Sequence, residues 1–200
     1  MTRVQKWINA NCERLDGKTV VLTGATGDIG KEIAKHILYL GGNLIFAVRN
    51  IKKGELLKAE LLTKYPNLKI DVYELNISNI SSVDNFVNQL KINNVKPNHL
   101  INNAGIFHAP QQTTAEGKEI RYATNFEGPI RLSVKMLPLL SEQANPHIVF
   151  QTSLSTAFKE INWNDIQGKN LKSDIKKYSN SKKLLNMGAL NIPKYFNDKY

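Results

Sequence analysis

Short apolar runs rich in β-branched residues alternate along this chain with longer amphipathic stretches. The runs are "KTVVLTG", "NLIFAV", "KIDVYEL", "HLINNAG" and "HIVFQTS". A short unbroken apolar run suits a strand buried on both faces, "KIDVYEL" alternates as a strand does, and apolar residues returning at helical spacing suit an amphipathic helix. Behind the first run, Ile29, Ile33, Ile37 and Leu40 keep helical spacing and close on Gly41-Gly42, a C-cap signal. "KKGELLKAELLTKY" predicts a helix stopped by Pro66, and "ISSVDNFVNQLKI" a helix capped by Ser or Asn. A further helix is predicted from about Thr114 to Leu140, and another around "KKYSNSKKLL". Ahead of all of these, Val4, Trp7, Ile8, Cys12 and Leu15 predict an amphipathic leader helix over residues 1–16, broken at Asp16-Gly17. Strand and helix in strict alternation predict an α/β fold: a doubly wound parallel sheet, helices on both faces, with its ligand crevice at the carboxyl ends of the strands.

Two hundred residues at 42% hydrophobic content suit one domain over residues 17–200 behind the leader. The net charge of +10 raises nucleic-acid binding as a third-ranked reading. Its lysines are scattered, however, without a basic block or a basic stripe interleaved with aromatics, so the expectation is no nucleic-acid partner and a general attraction for small anions. Cys12 is the sole cysteine and forms no intrachain disulfide. No apolar run approaches the roughly 18 residues of a membrane span, and the first residues lack the apolar core of a signal peptide; a cytoplasmic protein is expected. The two "NIS" triplets at Asn76 and Asn79 match a glycosylation acceptor pattern that means little without secretion. His36, His99, His108 and His147 have no metal-ligand spacing, and no metal site is expected.

Chemistry enters at the loop between the first strand and the first helix. "TGATGDIG", residues 23 to 30, sets glycines where a tight turn and close backbone approach let a helix N-terminus meet a pyrophosphate. Arg49, at the end of the second strand, stands where a carboxylate would select the ribose hydroxyl of NAD; an arginine suits the 2′-phosphate of NADP, so NADP is expected ahead of NAD. Tyr178 and Lys182 are four positions apart and share a face if their segment is helical. A phenol ionises near pH ~10 in water, and a neighbouring ammonium favours its phenolate, which makes the pair a candidate acid/base unit.

The glycine loop, "NNAG" at 102–105, "TNFEG" at 124–128, "IVFQTS" at 148–153 and Tyr178-x-x-x-Lys182 occur in one order, and from about Gly17 to about Leu190 the chain resembles the short-chain dehydrogenase/reductases. The resemblance implies a Rossmann-type fold and carbonyl–alcohol interconversion by hydride transfer. It implies that Tyr178 is the general acid/base, that Lys182 supports it and holds the nicotinamide ribose, that Ser153 polarises the substrate carbonyl, and that Asn125 supports a water leading to the lysine. Ser155 is the fallback for the serine. Cofactor contacts are implied for Thr23, Gly24, Thr26, Gly27, Asp28, Ile29, Gly30, Arg49, Asn50, Asn76, Ile77, Asn103, Ala104 and Gly105, with Tyr178 and Lys182. Asn76-Ile77 would face the adenine, where the family commonly has an acidic residue first. The insert between Ser153 and Tyr178 and "VRN" at 48–50 look like those of retinol-dehydrogenase-like members, implying a bulky or hydrophobic substrate. A homo-oligomer is also implied.

Two features depart from the family. Asp28 stands where the second glycine is expected, and the resulting GxxGxxG spacing looks more like the extended branch of epimerases and dehydratases, against which "NNAG" speaks. The sequence given also stops about one helix past Lys182, so a sheet of about five strands with an exposed edge is expected, lacking the last strands of the family fold. The alternative to an active reductase is then a catalytically silent dinucleotide-binding or regulatory fold, or an inactive fragment of a longer reductase.

Overall fold

The structure is a computed structural model that describes residues 2–109, 113–158 and 160–197. Its strands are β1 (Thr19–Thr23), β2 (Asn43–Val48), β3 (Ile70–Glu74), β4 (His99–Asn102) and β5 (His147–Phe150). All pair in parallel, in the order β3-β2-β1-β4-β5. The order reverses between β1 and β4, and there the strand-end loops diverge and open a crevice. Helices α1 (Arg3–Asn11), α2 (Asp28–Tyr39), α3 (Ile51–Lys64) and α4 (Ile80–Ile92) intervene. A short α5 (Ile120–Tyr122) runs through a π-helical turn (Ala123–Glu127) into α6 (Gly128–Ser141), and α7 (Asp174–Asn197) follows β5.

The alternation of side chains along β1 explains why both faces are covered. Val20 and Leu22 join Leu44, Phe46 and Val48 in a core beneath α2 and α3, while Val21 joins Ile45, Ala47 and Leu100 beneath α4 and α6. Asn50 caps α3 by accepting from the Lys53 amide, and Asn79 caps α4 by accepting from the Ser82 amide. The helix expected from Thr114 begins instead at Ile120. Residues 114–118 turn back on themselves through Gly117 at φ +72°, and the Glu119 carboxylate caps the helix by accepting from the Arg121 and Tyr122 amides.

The leader helix is shorter than its apolar stripe. α1 ends at Asn11, ahead of Cys12 and Leu15, and of the expected stripe only Ile8 is buried within it, leaving Val4 and Trp7 exposed. Its Asn9 accepts a hydrogen bond from the Tyr39 hydroxyl at the end of α2. Among the described residues β5 pairs with β4 alone, and Val149 lies 49% exposed on this edge. Among the described residues no helix is long and apolar enough to cross a membrane, and no group of His, Cys, Asp or Glu is arranged to hold a metal ion.

Candidate functional site

The crevice at the switch point encloses about 730 Å³, within the range of small-ligand sites. Its floor is welded by Thr23 and Asn103. The Thr23 hydroxyl accepts from the Asn103 amide at 3.0 Å and from the Ala104 amide at 2.9 Å, and the Asn103 carboxamide donates back to the Thr23 and Gly24 carbonyls at 3.0 and 3.2 Å. The close approach needs Gly24: at φ +66°, a β-carbon there would lie 2.9 Å from Ala104 Cα. Gly30 plays a packing part, since a β-carbon would press on the Gly24 carbonyl and reach Ala25 Cα at 2.8 Å. Gly27 differs, because its β-carbon would meet only the Gly24 oxygen, at 3.6 Å, and otherwise stand in open space.

Thr23, Gly24, Thr26, Gly27, Asp28, Ile29 and Gly30 all line the crevice, as do Arg49, Asn76, Ile77, Asn103, Ala104 and Gly105. Asp28 is exposed at the first position of α2, where the partial positive charge of the helix end favours a carboxylate. Arg49 is exposed at the carboxyl end of β2. The Asn76 carbonyl oxygen is engaged locally, accepting from the Ser78 amide and hydroxyl. Asn50 lies outside this wall: its side chain turns back to cap α3, so adjacency to Arg49 in sequence does not carry it into the crevice.

Of the four residues assigned to chemistry, Tyr178, Lys182 and Asn125 gather at the loop after β4, outside the residues that line the crevice, and Ser153 stands just past β5. Tyr178 and Lys182 stand a turn apart on α7, with the Lys182 Nζ 5.9 Å from the Tyr178 ring centre. Nζ donates to the Gln151 carbonyl just past β5 at 2.6 Å, and a β-carbon at Gly105, just past β4, would lie 3.5 Å from it. Lys182 is 3% exposed, and burial pushes its pKa down to about 8. Asn125, fully buried in the π-helical turn, accepts from the Ile106 amide at 2.8 Å and donates to the Ile106 carbonyl at 2.9 Å and to Ser181 Oγ at 3.0 Å. It thereby ties the loop after β4 to α7. π-Helical turns concentrate at functional sites because they re-aim side chains within a helix. The Ser153 hydroxyl accepts from the Ser155 amide at 3.2 Å and from the Ser155 hydroxyl at 3.0 Å, so the primary and fallback serines are bonded neighbours. Beside them, a pocket of about 380 Å³ is lined by Ser155, Thr156, Leu171 and Ile175 among others.

One contributor went unread in the sequence. Arg121 is wholly buried and bonds to the Phe107 carbonyl, to Glu119 and to Asp174. The available signal was its place four residues before Asn125, on the same helical face.

Comparison with known proteins gives the family and the fold. The family model for short chain dehydrogenase matches residues 18–165. "Retinol dehydrogenase 11" of Homo sapiens is 35% identical over 155 residues, which are 78% of this chain and 49% of that protein. "Short chain dehydrogenase resG" of Aspergillus sclerotiorum is 39% identical over 134 residues, 66% of this chain and 37% of that protein. The chain therefore spans about half, or less, of the length of these curated relatives. In fold, it is similar to a metagenomic short-chain oxidoreductase crystallised in complex with NADP, at TM-score 0.73 and 21% identity, covering 92% of this chain and 78% of that one.

Proposed function

The chain belongs to the short-chain dehydrogenase family, and on that footing we propose that it interconverts a carbonyl and an alcohol with NADP as cofactor. The observation that carries the reading is the convergence of Tyr178, Lys182 and Asn125 on the loop that borders the crevice after β4. The crevice suits a dinucleotide: the wall is bare at Gly27, the first turn of α2 opens onto it, and Arg49 is at hand for a 2′-phosphate. Asn76 and Ile77 would border the adenine, and Ala104 and Gly105 the adjoining ribose. When bound, the nicotinamide supplies the hydride.

The residues of the chain supply position and protons. Tyr178 delivers a proton to the substrate oxygen as charge develops there, and Ser153 donates a hydrogen bond to the same atom. Lys182 contributes a fixed charge beside the phenol, and Asn125 holds the loop against which the reacting groups are set. The human relative named a retinol dehydrogenase and the pocket walled in part by Leu171 and Ile175 support a bulky apolar substrate.

The test is reduction of a panel of apolar aldehydes and ketones, with NADPH and NADH compared. Turnover with NADPH ahead of NADH is expected, and Tyr178→Phe is expected to lower kcat by about 100-fold or more, as loss of a general acid does. A Tyr178→Phe chain as active as wild type would remove the acid/base assignment. Tight NADPH binding without turnover on any carbonyl would make the chain a silent dinucleotide-binding module instead.

A further inference from the structure

A guanidinium with no exposed surface is costly to desolvate unless its charge and its donors are met in place. Arg121 meets that demand from three directions. Nε donates to the Phe107 carbonyl at 2.8 Å, Nη1 to Glu119 Oε1 at 2.8 Å, and Nη2 to Asp174 Oδ1 at 2.5 Å. The second oxygen of Asp174 bonds His108 Nδ1 at 2.8 Å. Asp174 is held below the usual carboxylate range, first by that bond and then by the nearby guanidinium, against partial burial.

The partners are spaced in register with the reactive residues. Arg121 and Asn125 lie one turn apart, and they grip consecutive residues of the loop after β4, Phe107 and Ile106. On α7, Asp174, Tyr178 and Lys182 follow one another at four-residue steps. Arg121 thus pins the turn before Tyr178, and the Asn125–Ser181 bond pins the turn after it. The circuit closes through the Phe107 ring, which packs edge-on against the Tyr178 ring with centres 5.0 Å apart and planes at 68°.

We propose that Arg121 is a positioning residue that fixes the Tyr178 ring by locking the loop after β4 to the first turn of α7, with Asp174 and Phe107 as its working partners. The kinetic part rests on the reading of Tyr178 as acid/base given above. Misplacing a reacting group by about 1 Å costs up to roughly 100-fold in rate.

Removing Arg121 leaves Glu119, 1% exposed, without its cation, so loss of folding would confuse that variant. Asp174→Asn and Phe107→Leu leave Arg121 and its bond to Glu119 in place. Each is expected to lower kcat about 10- to 100-fold with NADPH affinity nearly unchanged and the chain still folded, Glu119 balancing the buried guanidinium. Because both act through one ring, adding either to Tyr178→Phe should lower the residual rate no further. A wild-type kcat in both variants, or a loss of equal size in the Tyr178→Phe background, would overturn the proposal. A second readout needs no turnover. Amide hydrogen exchange at 106–108 and in the first turns of α7 should accelerate in Asp174→Asn, and unchanged exchange would overturn the lock whatever the activity. An inactive wild type, by contrast, would count against the reductase reading alone.

Discussion

At Lys182 the requirements of folding and of the proposed chemistry pull apart. Its ammonium is almost entirely enclosed, donates a single hydrogen bond to the Gln151 carbonyl, and has no carboxylate partner among the described residues. The depression of its pKa to about 8 corresponds to roughly 3 kcal/mol against the charged form. Since the folded value lies below the unfolded one, the unfolded chain keeps a proton between pH 8 and about 10.5 that the folded chain has released, and stability rises with pH across that window. Lys182→Met is therefore expected to be more stable than wild type at pH 7, by about 1–3 kcal/mol, while losing carbonyl reduction. The difference should shrink between pH 8 and 10. Urea unfolding at pH 7 and pH 9.5 checks both, and a variant less stable than wild type at pH 7 would show that burial does not govern this site.

Among the elements, the loop from β1 to α2 separates glycines that serve packing from one that serves access. Gly30→Ala must displace the backbone at Gly24 and Ala25, which overpacking data place at about 1–3 kcal/mol or more. Gly27→Ala adds a methyl group into the crevice and touches little else. The expectation is a lowered melting temperature for Gly30→Ala, and for Gly27→Ala an unchanged one with NADPH affinity reduced by about 10-fold, equivalent to ~1.4 kcal/mol. Thermal melts and NADPH fluorescence titration separate the two; equal NADPH affinity for Gly27→Ala and wild type would mean that no phosphate approaches this turn. The same scale shows where local reading stopped short. Glu119 begins a helix because its carboxylate reaches forward to two amides, and "TTAEGKEIRY" looks helical from its first residues only while Gly117 is ignored.

Across the whole molecule, the sheet has a core on each face, and both cores draw on β1 and β2. Phe86, 1% exposed on the inner side of α4, belongs to the core that also holds α6, which packs against α7. Phe86→Ala is expected to destabilise the entire chain by about 3–5 kcal/mol, in one cooperative transition seen by circular dichroism in denaturant. A separate, earlier loss of the α4–α6 layer would show that the faces fold apart.

Strand, helix and their order were fixed by local chemistry. Buried strands need unbroken apolar runs, surface helices need a stripe, and the parallel crossovers that result leave few topologies. The glycine loop, the amide-rich turn after β4 and the Tyr178–Lys182 step were legible for the same reason, since each depends on residues close together in the chain. Other features depend on what meets across the sheet. Asn50 and Arg49 are neighbours in sequence, yet only Arg49 stands on the crevice wall. Arg121 reads as an ordinary helix charge until folding brings it to Asp174, 53 positions away, and to the carbonyl of Phe107. A lone arginine states its charge in the sequence; its burial, and so its role, is decided by partners that only tertiary packing supplies.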